Sequence, residues 1–404
     1  MENATTKKPS LWTPMYIRLG AASILLSLVE QMLTVNMSLY MEDLGATATI
    51  IGVVSTVFSV ASMIVRFLAG PAMDRYGRQK VGIFGLCLSL IPLIGYLLFP
   101  VIGIIAVMRF IQGAGFSCAS LSQGTMSVDI PAPERKDEGT GYYGLFYSIA
   151  TMFGPAVGLA VSAAYGYRNL FLLCIVIFIA EIVLAFTLNY EKKRHIVYTG
   201  KTNSGEKGTL LDRLVERKAL PAAFVGFFTS AAYVVVTAFM AVYVRSIGMS
   251  GTGTFFAVVA AFTFLGRLIS GRMIAHKKRV LVLLIGNILM AIGMVFLAVM
   301  TSTWQMMLGA VIFGLGGGYA WPALAILAVT DAEPNRRGTA NSTYYAGYDL
   351  GLAAGSLFGG IIADAAGYRV LCIATMIVFL IAAALTILAY KGCFWEEIRR
   401  NLHK

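Results

Sequence analysis

Twelve apolar runs, each long enough to cross a bilayer, follow one another along this chain. They lie at about 15–41, 48–70, 80–100, 102–127, 139–164, 168–189, 219–245, 251–274, 280–300, 303–329, 339–364 and 369–391. A spanning helix needs about 20 such residues. The runs are rich in Leu, Ala, Gly and Met and lack period-2 alternation, so they predict helices rather than barrel strands. Only 13% of the 404 residues are charged, where a soluble protein carries about 25%. The chain lacks the polar groups that a water-facing surface demands, so its main solvent is lipid. An all-α membrane protein is expected. The polar N-terminus and the long first run do not read as a cleaved signal.

The formal net charge of +12 would suit nucleic acid, but its placement excludes that partner. Lys7, Lys8, Arg75, Arg78, Lys80, Arg135, Lys136, a cluster over 192–218, Lys277, Lys278, Arg279, Arg336, Arg337, Arg399, Arg400 and Lys404 fall in alternate breaks between the runs. The other breaks hold only Arg168, Arg245 and Arg369. Positive residues stay on the cytoplasmic side, so both termini are expected inside and the span count even. The five cysteines show no paired spacing and the three histidines are scattered. Disulfides, a metal site and any cofactor are not expected.

The chain is also written twice. Shifted by 201 residues, it overlays itself without gaps from about 66 to 170. Arg66 falls on Arg267, Gly70 on Gly271, Arg78 on Arg279, Gly113 and Gly115 on Gly314 and Gly316, and Tyr143 and Tyr147 on Tyr344 and Tyr348. Gly154 and Gly158 fall on Gly355 and Gly359, and "YGYR" at 165–168 falls on "AGYR" at 366–369. Two pseudo-symmetric six-helix bundles follow, over 1–189 and 219–404, joined by a cytoplasmic linker at 190–218. The linker ends in "LLDRLVERKAL", which suits a short amphipathic helix on the cytoplasmic surface. Duplicated halves of this kind are the architecture of transporters that rock around a midplane site, and an enzyme has no comparable need for them.

Three motifs add a resemblance. "GPAMDRYGRQK" at 70–80 supplies Gly70, Asp74, Arg75, Gly77, Arg78 and Lys80; "RFIQGAG" supplies Arg109, Gly113 and Gly115; "GPAVGL" supplies Gly154, Pro155 and Gly158. The chain resembles the major facilitator superfamily over its whole length. The third motif is similar to that of the twelve-helix drug–proton antiporter branch, with Ala150 and Leu159 where that branch has Gly. The resemblance implies that the 70–80 loop ties the cytoplasmic helix ends together in the outward-open state. Asp74 and Arg78 are the expected latch, with Arg75 and Arg78 able to hold Asp129 or Glu134; charge topology alone explains Lys80 and suits Arg75. The second copy has Ala275 in place of the acid. The resemblance further implies a contact between halves at Gly154, Pro155 and Gly158, against which stands a simple proline kink.

Ionisable side chains in mid-span are functional suspects. Here they are Glu30, Arg109, Glu181 and Asp349. Ser23, Ser27, Glu30, Gln31, Thr34 and Ser38 form one polar stripe along the first span, and Arg109, Gln112, Gly113, Ser120, Gln123 and Ser127 another along the fourth. The resemblance implies that the first, fourth, seventh and tenth spans line a central cavity. Glu30 sits about 16 Å deep and Arg109 about 10 Å deep at 1.5 Å per residue, so the two are expected to communicate, directly or through Gln112. The opposing walls carry no charge: Thr229, Tyr233, Thr237 and Met240 on the seventh span, and Tyr319 with Ile312, Ala323 and Ile326 on the tenth. Such a wall suits an amphipathic organic molecule, although helix packing explains any one of these residues equally well. Asp349 is either a second proton or cation site or a structural contact near Tyr345 and Ser356. Glu181 is expected to be structural or protonated, and Arg66 and Arg267 to snorkel toward the cytoplasmic surface.

The expected function is proton-coupled secondary transport by a monomer in the cytoplasmic membrane of a bacterium, most simply export of a small amphipathic compound. The alternatives are a proton symporter importing an organic anion through Arg109, and a non-transporting receptor or assembly factor. No phosphate-binding G-x-x-x-x-G-K-S/T loop is present, so ATP is not the energy source.

Overall fold

A computed structural model of the chain describes residues 10–189, 191, 215–276, 278–333, 336–393 and 397. Among these residues there is no strand, and ten helices are long and apolar enough to cross a membrane. They are α1 (Pro14–Asp43), α2 (Ala48–Tyr76), α3 (Arg78–Leu98), α4 (Ile102–Asp129), α5 (Lys136–Phe186), α6 (Leu220–Ser246), α7 (Thr252–Ala275), α8 (Arg279–Ala298), α9 (Thr303–Thr330) and α10 (Arg337–Ala389).

Two of the ten are far too long for one crossing. α5 has 51 residues and α10 has 53, roughly 75–80 Å at 1.5 Å per residue. Each is broken once by a glycine with extended, positive-φ backbone: Gly166 at φ 80°, ψ 168° and Gly367 at φ 83°, ψ 166°. Only glycine adopts that region without strain. The two glycines are 201 positions apart, so the breaks are copies of one another. Counting two arms for each helix is consistent with the twelve expected spans.

Helix ends follow from local chemistry. Thr13 caps α1 by accepting from the Tyr16 amide at 3.2 Å, with Pro14 at the first helical position. Gly77, at φ 96°, turns the chain from α2 into α3 in a single residue. A carboxylate returns to the start of the third helix in each half. Glu191 accepts from the Arg78 amide at 2.6 Å, and Glu397 accepts from the Val280 and Leu281 amides at 3.2 and 3.0 Å. A negative charge at a helix N-terminus is worth about 0.3–1 kcal/mol.

Within each half, glycines let helices touch backbone to backbone. A Cβ on Gly85 would fall 2.6 Å from the Gly115 carbonyl oxygen and 2.7 Å from the Ala119 amide nitrogen; on Gly286 it would fall 2.9 Å from that of Gly316 and 2.7 Å from that of Ala320. These are the same α3–α4 and α8–α9 contacts, displaced by the repeat. Buried apolar side chains form two large cores, one drawn mainly from α1–α5 and one mainly from α6–α10.

Between them runs a seam of α2 against the first arm of α10. Asp364 accepts from the Ala48 and Thr49 amides at 3.0 and 2.7 Å, and Thr56 donates to the Ala353 carbonyl at 2.8 Å. Beside the Asp364 end, Arg245 of α6 pairs with Asp43 at 2.6 Å and Glu42 at 3.4 Å on α1. That end is opposite the basic loops. The expected amphipathic helix over 210–220 lies mostly outside the described residues; Arg217–Ala219 form one turn of 3-10 helix leading into α6.

Candidate functional site

Glu30 lies in the middle of α1 and is 9% exposed, and Arg109 on α4 is 4% exposed. Gln112 stands between them. Its amide nitrogen donates to the Glu30 carboxylate at 3.2 Å, while its oxygen accepts from Arg109 at 3.1 Å and from the Tyr96 hydroxyl at 2.8 Å. The guanidinium also lies over the Phe58 ring, 4.8 Å from its centroid. The acid and the base are thus one amide apart, in a setting that admits little water. Such an arrangement holds the carboxyl by a hydrogen bond from a neutral amide rather than by direct contact with the guanidinium.

The other residues of the two polar stripes divide. Gln31 donates to the Tyr147 hydroxyl of α5 at 3.5 Å. Thr34 bonds its own helix at the Glu30 carbonyl, 2.8 Å away, and Ser120 bonds the Ser117 carbonyl at 3.3 Å. Gln123 turns to the second arm of α5 and donates to the buried Glu181 at 2.8 Å. Glu181 therefore has a structural partner away from Glu30.

Across the molecule, aromatic rings interlock. Tyr233 of α6 stacks on Phe313 of α9 at 5.7 Å and meets Trp321 edge-on at 5.1 Å. Trp321 meets Tyr348 of α10 at 5.4 Å, and Tyr348 meets Tyr345 at 6.3 Å. Tyr319 is partly buried against the same core. Thr237 bonds the Val234 carbonyl of its own helix at 3.1 Å. Sequence reasoning missed Phe313, Trp321 and Tyr348; a Trp-Pro pair in mid-span was the available signal.

Two arginines expected to snorkel instead face the opposite half. Arg66 of α2 pairs with Asp349 of α10 at 3.1 Å, with side chains 12% and 6% exposed, and lies 5.2 Å from the Tyr345 ring. Arg267 of α7 donates to the Gly144 carbonyl of α5 at 3.1 Å. Both sit about two turns or more from the helix end, and docking of the halves supplies nearer partners than water.

The expected loop at 70–80 is almost entirely helical, with only Gly77 between α2 and α3; there Arg78 pairs with Asp129 at 2.7 Å and its carbonyl accepts from Ser122 at 2.6 Å. Arg75 lies over Tyr76 at 5.2 Å, and no atom would meet a Cβ on Gly70 within 4 Å. Asp74 is in the last turns of α2, and its side chain is outside the described residues. Glu134 is exposed. Among the described residues, no three His, Cys, Asp or Glu side chains gather as a metal site.

Residues 19–283 and 276–397 match the family model described as Major Facilitator Superfamily. The chain belongs to the major facilitator superfamily. The staphylopine export protein of Staphylococcus aureus is 25% identical over 372 residues, covering 88% of this chain and 90% of that protein. The multidrug resistance protein MdtG of Dickeya zeae is 32% identical over 167 residues, which is 40% of this chain and 41% of MdtG. The solved peptide transporter POT, bound to alafosfalin, shares the fold at a TM-score of 0.76 and 11% identity, covering 95% of this chain and 96% of that one. The chain is a multi-pass membrane transporter of small molecules and not an enzyme. In this member of the superfamily, Gly154 and Gly158 face α1 rather than the second half. A Cβ on Gly154 would fall 3.1 Å from the Leu28 carbonyl oxygen, and on Gly158 2.9 Å from that of Met32. The motif here lets α5 approach α1.

Proposed function

We propose that this chain is a proton-coupled transporter that exports a small amphipathic organic compound by alternating access. The observation that carries the reading is the buried Glu30–Gln112–Arg109 chain. A lone carboxyl held in the bilayer is costly and is kept where it does work on a proton or ion. The names of the two relatives, an exporter and a multidrug resistance protein, support the outward direction. The aromatic wall of Tyr233, Phe313, Trp321 and Tyr348 supports an amphipathic cargo. In this reading the halves 1–189 and 219–404 rock about a linker at 190–218, both termini are cytoplasmic, and the protein works as a monomer in the cytoplasmic membrane. Gln31, Tyr233 and Tyr319 line the cavity, and the Arg78–Asp129 pair with Asp74 latches the basic-loop end.

The test uses everted membrane vesicles with an imposed inward-acid gradient. Lipophilic cations, zwitterions and organic anions are added in turn, and proton release is followed by fluorescence. Release with one class, absent in Glu30→Gln, is the expected result. Equal release from the variant sinks Glu30 as the proton site, and no release with any class removes the antiport reading.

A further inference from the structure

The repeat places Arg66 and Arg267 at equivalent positions, yet only one of them is neutralised. Arg66 has Asp349 at 3.1 Å. The residue equivalent to Asp349 in the other half is position 148, a serine. Among the described residues Arg267 correspondingly has one hydrogen-bonded contact, the neutral Gly144 carbonyl at 3.1 Å, and its Nε is buried without a hydrogen-bond partner. Among the described residues no carboxylate lies within ion-pair distance of it. The α5–α7 seam is looser than its α2–α10 counterpart: a Cβ on Gly52 would clash with the Ser356 carbonyl oxygen, and one on the equivalent Gly253 would come no nearer than 4.0 Å to Leu159. Gly144 stands where Tyr345 stands in the second copy, and Ser148 is one helical turn further on, as Asp349 is from Tyr345.

An unneutralised guanidinium between helices of a membrane protein is unfavourable unless a partner arrives. Arg267 lies within electrostatic reach of Tyr147, Tyr233 and Tyr345, which belong to helices of both halves. Tyr147 in turn takes the hydrogen bond from Gln31, the neighbour of Glu30. Tyr233 leads on to Phe313 and Trp321. The arginine therefore stands at the edge of the aromatic wall, linked through Tyr147 to Gln31, the neighbour of the acid. The residue as a whole is only partly buried, although its Nε is covered. Arg109 is a poorer receptor: it is 4% exposed and already engaged by Gln112 and Phe58.

We propose that Arg267 is an anion-binding residue of the central cleft, and that the transported molecule presents a carboxylate to it, standing where Asp349 stands for Arg66. A guanidinium takes a carboxylate through two parallel N–H donors, which also orients the bound molecule. Its apolar or aromatic body then lies on Tyr233 and Trp321. This rests on the transporter reading of the same cleft but not on proton coupling.

The test is calorimetric binding to the full chain in lipid nanodiscs. Two matched probe pairs are used: indole-3-acetate against indole-3-acetamide, and N-acetyltryptophan against its amide. In at least one pair the carboxylate is expected to bind ~10-fold or more tightly than the amide, the size of effect charge-assisted hydrogen bonds give. Arg267→Gln is expected to erase that preference. So is Ser148→Asp, which puts a carboxylate at the position equivalent to Asp349 and leaves Arg267 itself in place if the first variant folds poorly. Equal affinity of acid and amide in both pairs overturns the proposal, as does a preference that survives Ser148→Asp. Carboxylate binding without proton release in the vesicle assay overturns coupling and leaves this site standing; proton release driven by cations with no carboxylate preference does the reverse.

Discussion

Arg66 and Asp349 each depend on the other at the depth where they meet. Removing one partner of a buried pair destabilises by about 3–5 kcal/mol, while replacing both by neutral groups of similar shape is close to neutral. Asp349→Asn and Arg66→Gln are each expected to lower the thermal unfolding temperature of the purified protein, and the double variant to recover most of the loss. Additive losses would mean that the two side chains act apart, which returns Asp349 to the role of a second proton or cation site. Gln112 offers a second case. Gln112→Leu strips the acceptor from Tyr96 and Arg109 and the donor from Glu30 at once. Each buried group left unsatisfied costs about 1–3 kcal/mol, so unfolding is expected at lower temperature. Unchanged stability would show that Arg109 closes directly onto Glu30. That Arg109 and Gln112 share a face is legible in the sequence, because they are three residues apart on a helix. That Arg66 meets Asp349 is not legible, because 283 residues separate them and only the docking of two halves brings them together.

The breaks in α5 and α10 are properties of elements, and each rests on one glycine. At φ near +80° with ψ near 167°, any residue with a Cβ is strained by about 1–3 kcal/mol. Gly166→Ala and Gly367→Ala are expected to lose stability by that amount in thermal unfolding. Gly103→Ala is the control: it sits in α4 with ordinary φ and no atom within 4 Å of a new Cβ, so it is expected to leave stability unchanged or slightly raised. Equal behaviour of all three would show that the chain bypasses the break. Helix positions were legible because bilayer thickness sets a length and hydropathy reveals it; α1 was expected over 15–41 and runs Pro14–Asp43. The copied "YGYR" and "AGYR" marked where each long helix turns. The aromatic wall was only half legible. Period places Tyr233 on a face, but Phe313, Trp321 and Tyr348 join it from two other helices, and no local rule pairs them.

Alternating access demands that whatever joins the halves at one end be breakable. At the end opposite the basic loops the joins are of two kinds: helix packing with the Asp364 cap on α2, and the Arg245 clasp on Asp43 and Glu42. The clasp is exposed, with the Arg245 side chain 54% accessible, so it is worth about 0.2–1 kcal/mol and weakens with salt. A contact of that strength biases the equilibrium between open and closed by up to about fivefold without locking it. Spin labels at Pro100→Cys and Ser250→Cys, exposed loop positions of the two halves at this end, report the separation in a background lacking the five native cysteines. Adding Arg245→Gln is expected to enrich the longer-distance population by up to about fivefold. High salt is expected to do the same to the parent and to leave the Arg245→Gln protein unmoved. If neither changes the distances, the clasp is a bystander, and the closed end is held by the α2–α10 seam, where Thr56 bonds the Ala353 carbonyl and helix packing adds contacts that salt does not screen.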